Sequence, residues 1–329
     1  MLESKSAECY TITRIVKSVT QDNHYVPQHL LKNFADNNGK LWIYDTELNK
    51  YRYGNTKSAG FECKLYPPEI EKVFTDVIDT PGSEAIAGLL EQKQLNAKQW
   101  ANFIGFVAAQ MQRTPACFDR IEAVSTPTLQ ETADRIAKFD PEFRKNMRNS
   151  LEESGSTSDE INECFRLIDA GEFKVTPTKE FILKQALDTI GLLQAELQKM
   201  RWGILCVPNG EPDLIIGDHA VMLSDEGPDN QPPAPLGIRN PNIELVMPLS
   251  RRMVAIARWT GQDSFGEIGS GSANVINERT LRYARRFIFA ATESDTLLAD
   301  AVRLRGTGPK IHVRRLRIGE GLAIIPEYR

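Results

Sequence analysis

Read for the spacing of its apolar positions, the chain changes character once, near residue 201. Upstream, apolar residues recur at three- and four-residue intervals, the period of an amphipathic helix. Leu30, Leu31 and Phe34 share one helical face behind Pro27, whose fixed φ suits a first turn, and residues 36–39 end it. Residues 41–45 and 50–53 are β-rich runs separated by 46–49, which predicts a hairpin. From residue 67 to about 200 the pattern is mostly helical. It predicts segments at 69–80 and 82–93, a strongly apolar helix at 97–113 that ends at Thr114-Pro115, and a charged helix at 126–139. A looser stretch around 154–158 follows, then a long amphipathic helix at 178–200 with Phe181, Leu187, Ile190 and Leu197 on its apolar side.

Downstream the period shortens. Residues 202–207, 213–217, 243–249 and 253–259 are brief apolar runs bounded by turn residues and read as strands of one sheet. Residues 228–241 form a Pro/Asn-rich surface loop, a helix returns at 273–291, and 310–318 alternates like an edge strand. Helices followed by strands predict an α+β fold. Its N-terminal two-thirds is mostly helical with a β-hairpin, followed by a largely antiparallel sheet with a C-terminal helix and edge strand. Residues 1–20 read as an extension, with a short β-prone run at 10–16. Residues 21–329 read as one composite domain, helical over 21–200 and sheet-rich over 201–329.

Composition narrows the class. At 41% apolar and 26% charged, the chain is neither disordered, collagen-like nor coiled-coil. The mean hydropathy is −0.35, and no apolar run nears the ~18 residues of a membrane span, so no membrane partner is expected. The first nine residues lack the apolar core of a secretory signal. Five scattered cysteines without a CxxC read as free thiols, so a cytoplasmic location is expected. The net charge of −4 conceals an asymmetry: residues 251–329 carry +6, leaving −10 on residues 1–250. Arg303, Arg305, Lys310, Arg314, Arg315 and Arg317 lie in a stretch without any acid. This cluster is the candidate nucleic-acid contact, the alternative being an arginine-decorated sheet edge.

The chain holds no GxxxxGK[ST], GxGxxG after a strand, HExxH or GxSxG. Gly269-Ser-Gly-Ser272 reads as a plain loop more readily than as an anion-holding turn. His24 precedes the helix behind Pro27, and that helix's positive end disfavours imidazolium, leaving a ring suited to hold metal or accept a proton. Gln28 lies four residues on, whereas His29 reads as a packing residue and His312 as a surface one. Gln110 and Arg113, three apart, close the apolar helix on one face. They either tie down backbone carbonyls or present an arginine to an anion. Asp218, before His219, ends an apolar run and reads either as a turn former or as a carboxylate placed for chemistry. Glu84 either complements a helix dipole or adds a metal ligand.

Together, His24-Tyr-x-Pro-Gln28 leading into Leu31-x-x-Phe34, Gln110-x-x-Arg113-Thr-Pro, the element ending in Asp218, and Val246-Met-Pro-Leu-Ser250 resemble an uncharacterised family. It is the domain of unknown function four-two-three-eight, and the likeness runs from about residue 24 to 291. Where that family usually has Ser-Asp-x-Pro, this chain has Gly217-Asp218-His219-Ala220. The resemblance implies fold unity and no particular activity.

Three functions are expected to compete. In the first, a phosphoester hydrolase acts on nucleic acid. His24 and Asp218 each act as base or as ligand to a divalent Mg²⁺ or Mn²⁺, Glu84 is the candidate further ligand, Gln28 and Gln110 orient the substrate, and Arg113 stabilises developing charge. In the second, a non-catalytic nucleic-acid or protein-binding module uses the basic C-terminal region. In the third, His24, Gln28, Arg113 and Asp218 form a buried polar network that pins helices to sheet.

Overall fold

A computed structural model describes residues 22–225 and 237–309 in full, and the backbone alone of 311–318 and 321–328. The chain opens with β1 (Asp22–His24), the short helix α1 (Gln28–Lys32) and the hairpin β2 (Leu41–Asp45) and β3 (Lys50–Gly54). A 3-10 turn at Thr56–Ser58 leads to β4 (Phe61–Cys63), which pairs antiparallel with β1. Helix α2 (Pro68–Val73) passes through a π-helical turn at Phe74–Asp79 straight into α3 (Thr80–Leu90). The two segments expected from spacing are thus one continuous helical path. Gly82 sits in it without breaking it, because α3 lies close on the next helix. A Cβ at this position would fall 2.7 Å from the Cβ of Phe106.

Helix α4 (Ala97–Gln112) is capped by Asn96, whose side chain accepts from the Gln99 N–H while Gln99 bonds back to Asn96. Its residues Phe103–Gln112 are all buried, as expected of a helix that is apolar all round and runs through the middle of the molecule. Thr114 and Pro115 end it and at once start α5 (Pro115–Phe139). The Thr114 hydroxyl accepts from the Cys117 N–H, and proline occupies the first turn. The helix expected at 126–139 therefore begins at Pro115. The expected loose stretch is two helices, α6 (Pro141–Glu153) and α7 (Ser158–Ala170), capped by Asp140 and Thr157. Helix α8 (Lys179–Leu197) completes the helical layer.

Then come β5 (Arg201–Cys206), β6 (Ile216–Gly217), β7 (Met222–Asp225), β8 (Ile243–Ser250), β9 (Met253–Arg258) and β10 (Ser264–Glu267). Helix α9 (Ser272–Tyr283) stops well before residue 291, and the chain turns into β11 (Phe287–Ala290). Helix α10 (Asp295–Leu304), capped by Ser294, was not legible in the spacing. The end of the chain is the antiparallel hairpin β12 (Ile311–Ile318) and β13 (Gly321–Tyr328).

Five strands form one sheet in the order β10-β5-β9-β8-β7, antiparallel except for β10 on β5. A second, antiparallel sheet has the order β3-β2-β11-β6, so the early hairpin is completed by strands more than 150 residues away. One continuous core runs from Tyr25 through α4 to the sheet residues Leu245, Ala255 and Phe289. Helical and sheet-rich regions share it. Part of the predicted 228–241 loop, residues 228–236, lies outside the described residues, as does the run at 10–16. Among the described residues no helix is long and apolar enough to cross a membrane.

Candidate functional site

The polar residues that punctuate the sequence fall at several separate places in the fold. Gln110 and Arg113 end α4 facing the π turn. The Arg113 guanidinium forks onto Asp79, with Nη1 2.9 Å from Oδ2 and Nη2 2.8 Å from Oδ1. It lies against the rings of Phe74 and Phe106. In the amide orientation that matches donors to acceptors, Gln110 accepts from Arg113 Nε at 2.6 Å and donates to the Tyr25 carbonyl at 3.3 Å. Arg113 is 1% exposed. These contacts tie α4, the π turn and the β1–α1 link together. His29 packs on Phe106 beside it, and burial pushes its imidazole down to about 4.

His24 is half-buried at the end of β1, its ring tilted on Phe61 with centroids 5.6 Å apart. Burial holds its pKa below the ordinary value, opposed by Glu71. Its Nε2 is buried without a hydrogen-bond partner among the described residues. Gln28 opens α1 half-buried. Glu84 is exposed on α3, whose buried residues are Gly82, Ala85, Ile86 and Leu89. Among the described residues no three of His, Cys, Asp or Glu come together as a metal ion would need, so His24, Glu84 and Asp218 do not meet as the expected ligand set.

Asp218 follows β6 and is buried. Its Oδ1 accepts from the Arg285 N–H at 2.8 Å, and its Oδ2 accepts from the Arg286 and Phe287 N–H groups at 2.7 and 2.8 Å. Its own N–H donates to the Phe287 carbonyl at 2.9 Å. One carboxylate thus takes up three successive N–H groups between the end of α9 and the start of β11, which explains why the helix stops short of 291. Burial pushes this carboxyl up to about 6, against the pull of the three N–H groups and Arg285. Asp218 also lines a cavity of about 450 Å³ with Tyr25, Glu62, Arg285 and Arg286.

The next residue opens a different site. His219 lines a cleft of about 610 Å³ between the start of α5, the end of α9 and the link after α10. Its ring stacks on Tyr283, and its Nδ1 lies 3.2 Å from Thr114 Oγ1. Burial, aided by Arg120, pushes the imidazole down to about 3, so the ring is neutral. Among the described residues, four arginines line the cleft, Arg120, Arg282, Arg285 and Arg305, against one acid, Asp119. Each of three is steadied by a neighbour: Arg120 Nη2 donates to Cys117 Sγ at 3.2 Å, Arg282 Nη1 to Thr307 Oγ1 at 3.1 Å, and Arg285 Nε to Asp119 at 2.5 Å. The link 306–309 can lie on the end of α9 because residue 308 is glycine. A Cβ there would fall 2.1 Å from the Arg282 carbonyl oxygen. Ala116, in the first turn of α5, lines both cavities and brings the positive end of that helix to the same place.

A family model described as protein of unknown function (DUF4238) matches residues 22–294. The chain belongs to this family. The match ends ahead of α10, so the DUF4238 region supplies Arg120, His219, Arg282, Tyr283 and Arg285 of the cleft, and Arg305 comes from beyond it. No curated protein and no solved structure matches the chain.

Of the predicted basic cluster, Arg305 reaches the cleft. Arg303 does not line it: its guanidinium pairs with Asp300 at 2.8 Å and Glu278 at 3.4 Å. Arg303, in a stretch that carries no acid in sequence, is thus faced by two acids in space. Lys310 lies outside the described residues, as do the side chains of Arg314, Arg315 and Arg317. Their backbone places them in β12 opposite Ile325, Ile324 and Leu322. The sequence reading missed Arg120, Arg282, Tyr283 and Arg285. The basic and aromatic alternation in Arg282-Tyr-Ala-Arg-Arg286 was the available signal.

Proposed function

We propose that this chain is a nucleic-acid-binding module that holds phosphate in the cleft between α5, α9 and the link after α10. One observation carries the reading: Arg120, Arg282, Arg285 and Arg305 converge on one concave site whose lining, among the described residues, includes one acid, Asp119. Arginine's fork matches phosphate oxygens bidentately, and a concave low-dielectric wall strengthens the attraction. An overall charge of −4 does not oppose this, because screening confines each charge to roughly 8–10 Å. The backbone of the β12–β13 hairpin runs alongside α5.

Hydrolysis of the bound phosphoester is the second reading. It is favoured by Asp218, a carboxyl raised toward neutrality in a cavity that shares Ala116 and Arg285 with the cleft. Fluorescence anisotropy of labelled single-stranded and duplex DNA and RNA, with and without Mg²⁺ or Mn²⁺, tests both. Binding that is lost in the double variant Arg282→Ala/Arg305→Ala supports the module. Shortening of the labelled strand supports the hydrolase, and wild-type protein that binds none of the four probes overturns both.

A further inference from the structure

An open basic surface would suffice for phosphate alone, yet the cleft holds an aromatic wall as well. The rings of Tyr283 and His219 lie 5.9 Å apart and within 14° of parallel, and both line it. The stack is fixed at both ends, since the Tyr283 hydroxyl donates to the Leu223 carbonyl and His219 contacts Thr114. Val221 and Leu223 continue the wall as apolar surface. A volume of about 610 Å³ is the size of a pocket for one small ligand.

We propose that the cleft is a one-nucleotide pocket, with phosphate on Arg120, Arg282 and Arg305 and the base laid against the Tyr283–His219 wall. The proposal rests on the phosphate-binding reading above and adds recognition of a base. Every base has a π face, so stacking of this kind tolerates purine and pyrimidine alike. A neutral imidazole completes the wall without adding charge where the base lies. Such a nucleotide can come from the terminus of a strand or from the free pool.

Calorimetric titration of the full chain with AMP, UMP, ribose 5-phosphate and a short 5′-phosphorylated single strand tests this. AMP is expected to bind about 5- to 150-fold tighter than ribose 5-phosphate, the span of one base stack. Tyr283→Phe keeps that ratio, and Tyr283→Leu abolishes it while leaving ribose 5-phosphate unchanged. Tighter binding of the strand than of AMP assigns the pocket to a strand terminus, and equal binding assigns it to a free nucleotide. Equal affinities of AMP and ribose 5-phosphate on the wild-type chain overturn the base wall and leave phosphate binding standing. Binding of none of the four probes overturns both. Should Tyr283→Leu fail to fold, the wild-type ratio decides alone.

Discussion

Asp218 is the residue for which architecture and chemistry make opposite forecasts, and Asp218→Ala separates them. The substitution removes acceptors from the N–H groups of Arg285, Arg286 and Phe287, bonded at 2.7–2.8 Å. Each buried N–H left unpaired costs about 1–3 kcal/mol. Three together would cost roughly 3–9 kcal/mol, but the neighbouring cavity of about 450 Å³ gives water a route to some of them. Relief from burying the carboxylate offsets a further part. The expected loss is therefore about 3–5 kcal/mol, which is a fall in Tm of roughly 4–7 °C in a chain of this size. Asp218→Asn keeps one oxygen and should recover part of the loss. Circular dichroism melts of the three proteins measure it. A fall of less than about 2 °C for Asp218→Ala, with the far-ultraviolet spectrum unchanged, would refute the tether.

Two further outcomes follow from the same geometry. Arg113→Met strands the Asp79 carboxylate and the Gln110 amide at the end of α4, and should cost about 3–5 kcal/mol in urea unfolding while leaving nucleic-acid affinity of the folded protein unchanged. His219 and His29 have folded pKa values lowered to about 3 and about 4 from 6.5, so the unfolded chain binds protons that the folded one does not. Their stabilisation is complete above pH 6.5 and is lost as pH falls through that value toward 4. For His219, screened on its cleft side, this is on the order of 1–2 kcal/mol. His219→Phe should therefore flatten the acid limb of the Tm-against-pH curve. Asp218 works in the other sense. Its carboxyl, raised to about 6, gives stability that is present below pH 3.8 and lost as pH rises toward 6, so Asp218→Ala should steepen that limb.

Long periodic elements were legible in the sequence. Helix α4 was read to within one residue, because an apolar run bracketed by Asn96 and Thr114-Pro115 leaves little choice. Helix α9 was extended too far because Leu281, Ala284 and Phe287 keep a helical spacing across its end, and the reason the chain leaves the helix is a carboxylate more than 60 residues upstream. The π turn at Phe74–Asp79, whose last residue bonds to Arg113, has no spacing signature. The pairing of Gln110 with Arg113 was legible as two residues on one helix face, though not which role they serve. The cleft was the hardest part to read. Arg120, Arg282 and Arg305 come from three elements, and each is unremarkable in its own stretch of chain.

The salt dependence of single-strand binding tests the central claim most directly. Arg120, Arg282 and Arg305, with Arg285 held by Asp119, should give log Kobs against log salt a slope of about −2, with each of Arg120→Ala, Arg282→Ala and Arg305→Ala making it shallower by about 0.7. A slope near zero, or one that none of the three substitutions changes, would contradict phosphate binding in this cleft.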